Sequence, residues 1–194
     1  MRSMSVALVM LLVTPAFAQD FPNPQPGDAH EILARDAGTW DCTLRMYLQG
    51  PDGEPTEYKG TEVNRLVSGD LYLRTRFTAK MGDRKFEGHG LMGYDPRSEK
   101  YTGTWVDNFS VIPSRFSGTY DAESKTLTIY NTVVHDESGA EFKQKQVTVW
   151  EDDSHKEFTI YLVVESDGKT QDVKLMEMTA VKKPKAKKTK SVEE

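Results

Sequence analysis

From residue 39 onward apolar and polar side chains alternate with a period of two, and the alternation breaks at roughly ten-residue intervals, the spacing of short strands and turns. In 39–48, Trp40, Cys42, Leu44, Met46 and Leu48 share one side, and Asp41, Thr43, Arg45 and Tyr47 share the other. In 70–80, Leu71, Leu73, Thr75, Phe77 and Ala79 oppose Tyr72, Arg74, Arg76, Thr78 and Lys80. In 156–165, Phe158, Ile160, Leu162 and Val164 face one way. The pattern predicts ten strands, over 39–48, 57–67, 70–80, 84–94, 100–108, 115–121, 125–135, 140–151, 156–165 and 171–182. Breaks such as "VSGD", "KMGD", "YDPRSEK", "YDAESK" and "SDGK" are hairpin turns too short for a crossover helix, so successive strands pair antiparallel. One short helix precedes them, with Asp28 in capping position, Glu31 three residues on, Ile32 and Leu33 facing inward and Gly38 ending it.

A sheet of this length with one apolar face must curl onto itself or leave that face wet. The fold class expected is therefore all-β, an antiparallel up-and-down barrel or half-barrel of about ten strands with one short N-terminal helix. The chain has 194 residues, 37% of them hydrophobic and 28% charged, which suits one soluble domain with a core, placed at 28–182.

Both ends read differently from this body. Arg2, the apolar run "VALVMLLV" and the small-residue site around Pro15, Ala16 and Ala18 have the form of an export leader over 1–18, cleaved near Ala18. A polar, Pro-rich lead-in follows over 19–27. The mature protein is expected in the periplasm or outside the cell, without a lipid anchor because no Cys stands at the cleavage point. Residues 183–194 form a Lys-rich tail with no apolar stripe, expected to be disordered and to solubilise the chain or to touch anionic surfaces weakly. Residues 19–181 carry 18 basic and 28 acidic side chains, a balance of −10 that argues against a nucleic-acid partner. The single Cys42 lies on an apolar face and reads as a buried, unreactive thiol.

Three segments repeat Gly, Thr, aromatic and Asp: Gly38-Thr39-Trp40-Asp41, Gly103-Thr104-Trp105 with Asp107, and Gly118-Thr119-Tyr120-Asp121. In the second, Tyr101, Gly103, Trp105 and Asp107 share one face, so an inward Trp105 brings a carboxylate inside. An inner carboxylate is either hydrogen-bonded structure or part of a site. On the adjoining strand Gly88 and Gly90 hollow out the face that also carries Tyr94, and alternation turns His89 the other way unless a bulge intervenes. The candidate ligand-binding residues are thus Tyr94, Tyr101, Trp105, Asp107 and His89, with Gly38 and Trp40 structural; a flat apolar or cationic molecule is the partner expected. No pair among the four histidines has metal-ligand spacing, and neither a metal nor a cofactor is expected. Nucleophile elbows, phosphate-cradling loops and His-Glu-x-x-His motifs are missing, which leaves the catalytic residues unknown.

Gly38-Thr39-Trp40 after a helical turn resembles the entry of lipocalin-type (calycin) barrels, in which that Trp plugs one end. In order along the chain, "HEILARDAGTWD", "FEGHGLMGYDP", "KYTGTWVD" and "GTYDAESKTLTI" resemble a family of exported bacterial proteins, domain of unknown function 1579. The stretch "NFSVIPSRF" departs from the small polar residues expected after Asp107. The resemblance implies a calycin-like fold and no assigned activity. The function expected is binding of a small, partly apolar molecule inside the barrel. The alternatives are an envelope interaction module with a solid core, or a small-molecule hydrolase or isomerase using His89 or His135 with Asp107.

Overall fold

The computed structural model describes residues 23–184 except 136 and 167. The expected leader over 1–18, and the tail from 185 onward, lie outside the described residues. A 3-10 turn (Asp28–His30) runs into a short helix, α1 (Glu31–Asp36). Ten strands follow: β1 (Gly38–Met46), β2 (Thr56–Val67), β3 (Tyr72–Met81), β4 (Arg84–Asp95), β5 (Lys100–Asp107), β6 (Ser114–Asp121), β7 (Thr126–Val134), β8 (Glu141–Trp150), β9 (His155–Ser166) and β10 (Lys169–Lys182).

Each strand pairs antiparallel with its sequence neighbours, and β10 returns to β1, from Lys182 opposite Trp40 to Met176 opposite Met46. The ring is a closed barrel, which removes every exposed sheet edge and settles the choice between barrel and half-barrel. All ten strands stand within two residues of the positions read from the alternation.

The departures have local causes. β1 stops at Met46 because the Gly- and Pro-containing connection turns the chain, and Leu48 is left 67% exposed. β3 begins at Tyr72, because Ser68, Gly69 and Asp70 all adopt positive φ (53°, 70° and 64°) and Leu71 still belongs to that turn. The helix start is not the Asp28/Glu31 box: Gly27 is the N-cap, its carbonyl accepts from the His30 N–H, and its own N–H donates to His30 Nδ1 at 3.1 Å. In the second and third Gly-Thr-aromatic segments, the Asp ends its strand. Asp107 and Asp121 each accept two backbone N–H groups from the turn that follows, a local bonding pattern Asp favours.

Up-and-down order gives the barrel two unlike ends. At one, α1 lies across the opening and buries Ile32 and Leu33 against Leu73, Tyr101, Leu127, Ile129 and Trp150. The last carbonyls of so short a helix need donors. Trp40 Nε1–H (2.9 Å) and Asn64 Nδ2–H (3.2 Å) donate to the Asp36 carbonyl, and Lys182 Nζ donates to that of Arg35 (2.6 Å). Across the turn, the Tyr101 hydroxyl donates to the Ala29 carbonyl at 2.7 Å. A second cluster, Trp40, Cys42, Leu44, Phe77, Ala79, Met178 and Ala180, joins the walls of β1, β3 and β10. The other end is the mouth, formed by the β1–β2, β3–β4, β5–β6, β7–β8 and β9–β10 connections. Among the described residues no helix is long and apolar enough to cross a membrane.

Candidate functional site

Between the helix end and the mouth the barrel encloses a cavity of about 440 Å³, so the core is not solid. Alternation builds its wall, because every second residue of each strand points inward. The sequence has eight methionines, three of them within the first ten residues; the other five, Met46, Met81, Met92, Met176 and Met178, all line this space. Phe77, Phe86, Trp105, Phe116 and Phe158 supply aromatic surface between them. Thioethers are flexible and polarisable, so such a wall adapts to irregular apolar shapes. Strands β7 and β8 differ: Asn131, Gln144 and Gln146 bring amides to the cavity, and Gln146 Nε2–H donates to Asn131 Oδ1 at 3.1 Å.

The floor, next to α1, is ionic. Lys156 Nζ lies 2.6 Å from both Asp36 Oδ1 and Glu62 Oε1, with its side chain 4% exposed and each carboxylate side chain 11%. Asn64 Nδ2 donates to Asp36 Oδ2 (2.8 Å) and Glu62 Oε1 (2.6 Å), and the lysine ammonium stands 4.5 Å from the centre of the Trp40 ring. Burial works against the lysine charge, but attraction to Asp36 and Glu62 and their hydrogen bonds outweigh it, so Lys156 titrates above the ordinary lysine range. Held between two carboxylates, the ammonium presents no free lone pair and is not set up as a nucleophile. Asp36, Glu62 and Lys156 all line the cavity, as does Trp150, whose buried indole N–H has no partner among the described residues.

The sequence reading placed the carboxylate of interest at Asp107. Asp107 and Trp105 do line the cavity together, and Trp105 Nε1–H donates to Asp107 Oδ2 at 2.9 Å. The other oxygen accepts the N–H groups of Phe109 (2.8 Å) and Ser110 (3.1 Å), so this carboxylate ties the wall to the β5–β6 turn. The hollow at Gly88 and Gly90 is filled by Trp105 itself: a Cβ on Gly88 would stand 2.2 Å from its Cζ2, and one on Gly90 3.1 Å from its Cε3. Tyr94 and Tyr101 point inward but belong to the helix-end packing, with ring centres 5.2 Å apart, and do not line the cavity. His89 faces outward beside Glu87, 3.3 Å from its Oε1, on the opposite face from Asp107, so the two cannot act as a pair. His135 sits in the β7–β8 turn, bonded to Ser138. Gly38 takes φ +150° where Lys182 crosses it, and Trp40 is fully buried beneath the floor. Burial pushes the Cys42 thiol up to about 12, the Glu62 carboxylate adding to it. No group of three or more His, Cys, Asp or Glu side chains among the described residues is placed to hold a metal.

Sequence reading missed the floor. Glu62 and Asn64 occupy inward positions of β2, and Lys156 is two residues from inward Phe158. The signal available was opposite charge on positions that the alternation assigns to the inside.

A model of the family described as "Protein of unknown function (DUF1579)" matches residues 25–182, which span the helix and all ten strands. The chain belongs to that family. Among solved structures, this DUF1579 protein is similar to the S-type phycobiliprotein lyase CPES from Guillardia theta, at 12% identity and a TM-score of 0.55, covering 81% of this chain and 94% of that one. At that identity the likeness is one of fold, a lipocalin-like barrel. A redesigned β-barrel is also similar, at 14% identity and a TM-score of 0.40 over 83% of this chain and all of the other. The search of curated proteins found no match.

Proposed function

We propose that this DUF1579 protein is an exported carrier or sensor that binds one small, partly apolar molecule inside its barrel. The observation that carries the reading is the cavity of about 440 Å³ with its methionine and aromatic walls. Its size falls within the ~300–1,000 Å³ of ordinary ligand pockets, and an apolar interior left unfilled costs packing energy that a ligand would restore. The amide side chains of β7 and β8 would orient a polar substituent. Export rests on the form of residues 1–18, and contact of the Lys-rich tail with anionic surfaces belongs to the same envelope setting.

Two of the three tryptophans, Trp105 and Trp150, line the cavity, and Trp40 does not. A hydrophobic compound entering the barrel should quench emission saturably, with one site per chain, and Trp105→Phe should remove a large share of that signal. Uptake whose signal survives unchanged in both Trp105→Phe and Trp150→Phe would put the site elsewhere, and no saturable uptake across a broad apolar panel would end the reading. Export is tested separately by the amino terminus of envelope-fraction protein, expected to be Gln19; an intact Met1 there would refute it.

A further inference from the structure

We propose that the cavity floor receives the ammonium end of a small apolar amine, with the Glu62 carboxylate as its counter-charge; this rests on the binding role proposed above. The floor cluster holds two carboxylates, Asp36 and Glu62, against one ammonium, Lys156. One negative charge therefore remains at the bottom of an apolar cavity, where low dielectric strengthens its pull on a cation. A second ammonium, that of Lys182, stands 4.7 Å from the centre of the Trp40 ring, donates to the Arg35 carbonyl and does not line the cavity.

The bonding within the cluster is lopsided. Both donors that reach Glu62, Lys156 Nζ and Asn64 Nδ2, bond to Oε1 at 2.6 Å. Oε2 has no donor among the described residues, although Glu62 is 8% exposed and lines the cavity. Unlike Asn64 Oδ1 and Trp150 Nε1, which are sealed off, this oxygen is open to the cavity, so an incoming N–H can reach and bond it. Asp36, by contrast, has a donor on each oxygen, Lys156 on Oδ1 and Asn64 on Oδ2. Of the floor acceptors without a donor, Asn64 Oδ1 is buried and uncharged, and the Glu62 oxygen is the one that carries charge.

A second, independent deficit is on Trp150. Trp150 is 2% exposed, faces Lys156 across the β8–β9 pairing, lines the cavity, and its Nε1–H is unpartnered among the described residues. A ligand oxygen that reaches this donor would satisfy it. An acidic headgroup could accept from the Trp150 N–H but brings no donor to the Glu62 oxygen, the one floor ammonium is already bonded to two carboxylates, and the net charge repels an anion. Above the floor, the walls take an uncharged ring or short chain.

Calorimetric titration of the full chain with phenylbutylamine, phenylbutanol and phenylbutyrate separates the proposals. The amine should bind at least about tenfold tighter than the alcohol, since hydrogen bonds to charged groups are the stronger ones, and the acid should bind weakest. In Glu62→Gln, which keeps the shape and removes the charge, the amine's advantage should shrink to about twofold. Equal binding of amine and alcohol to the wild-type chain, or an advantage undiminished in Glu62→Gln, would overturn the amine assignment while leaving cavity binding intact. If none of the three compounds binds and a broad apolar panel also fails, the binding role itself falls. The wild-type ranking needs no variant, so it decides the matter even if Glu62→Gln does not fold.

Discussion

At the helix end of the barrel, Asp36, Glu62, Asn64 and Lys156 bond one another inside the protein, and three side chains satisfy the last carbonyls of α1. At the mouth the balance is inverted: Leu48, Phe109, Val111, Ile112, Phe142 and Val164 are exposed apolar side chains on or beside the connecting turns. One end buries polar groups and must bond them; the other exposes apolar groups and must hold them near an opening. The difference teaches where stability and access are separated. A buried ionic cluster makes removal of any member expensive, and that end stays shut. A rim of exposed apolar side chains on turns, without a buried ionic cluster, can open at smaller cost, which is what an entrance requires.

The comparison is broken most severely at Lys156. Lys156→Met leaves Asp36 and Glu62 facing each other without their cation and strips the ammonium from the Trp40 ring, and breaking a buried pair of this kind should cost about 3 to 5 kcal/mol. Denaturant unfolding monitored by circular dichroism measures it. A loss below about 1 kcal/mol would mean that the cluster is not what holds the floor.

Alkaline titration probes the same end. Burial raises Cys42 from the ordinary 9.0 to about 12 and Tyr101 from 10.0 to about 12, Tyr94 and Tyr120 adding to the latter. Both groups are neutral when protonated, and both have folded values above their unfolded ones. Their stabilisation is therefore complete below about pH 9 and is lost as pH rises through about 12, each tenfold difference in proton affinity between the folded and unfolded chain being worth about 1.4 kcal/mol. Unfolding free energy should fall over that window, and Cys42 should react with a thiol reagent in step with unfolding. A thiol that reacts rapidly in the folded protein at pH 8 would show the floor to be open.

The strands were legible because burial on one face imposes a two-residue period, and that period survives in nearly every segment. Closure was not: alternation in β1 and β10 reads the same whether or not the two strands meet, and only their pairing from Trp40 to Met46 decides it. At the site, Trp105 and Asp107 were legible as neighbours on one inward face. The partners of Asp107 were not, since they are backbone groups of a turn whose path alternation does not fix. Tyr94 and Tyr101 share the inward face but lie at the level of the helix, and alternation gives the side of a sheet, never the depth along a barrel. Glu62, Asn64 and Lys156 stand in phase with the inward positions but escaped notice because a charged or amide side chain taken alone reads as solvent-facing; their meeting depends on β2, β9 and α1 converging from distant parts of the chain.

A smaller effect is expected where wall and mouth join. Asp107→Asn replaces one of two acceptor oxygens by a donor, so either the Trp105 indole N–H or the Phe109 and Ser110 N–H groups lose their Asp107 acceptor. The cost should be about 1 to 3 kcal/mol, the range for leaving a polar group unsatisfied. Hydrogen exchange should show it as faster opening of the β5–β6 turn with the helix end still protected. Uniform loss of protection would mean that the two ends unfold as one unit and that stability and access are not separated along the barrel.

The smallest effect belongs to the rim. Val111 is 85% exposed in the turn that Asp107 anchors, so Val111→Ser removes little buried area and should shift unfolding free energy by no more than about 0.5 kcal/mol. Its neighbours Phe109 and Ile112 line the cavity, and Phe109 is held by Phe86, with ring centres 5.1 Å apart, and by the Arg84 guanidinium at 4.1 Å. The same substitution should therefore leave the affinity of a bound apolar compound nearly unchanged, because equilibrium binding is set by the walls and floor. Its exchange rates should rise together, because the turn flanks the opening. Stopped-flow mixing gives both rates. A change in affinity without a change in rates would place Val111 in the binding wall, and a stability loss above about 1 kcal/mol would make the mouth part of the core and remove the contrast between the two ends.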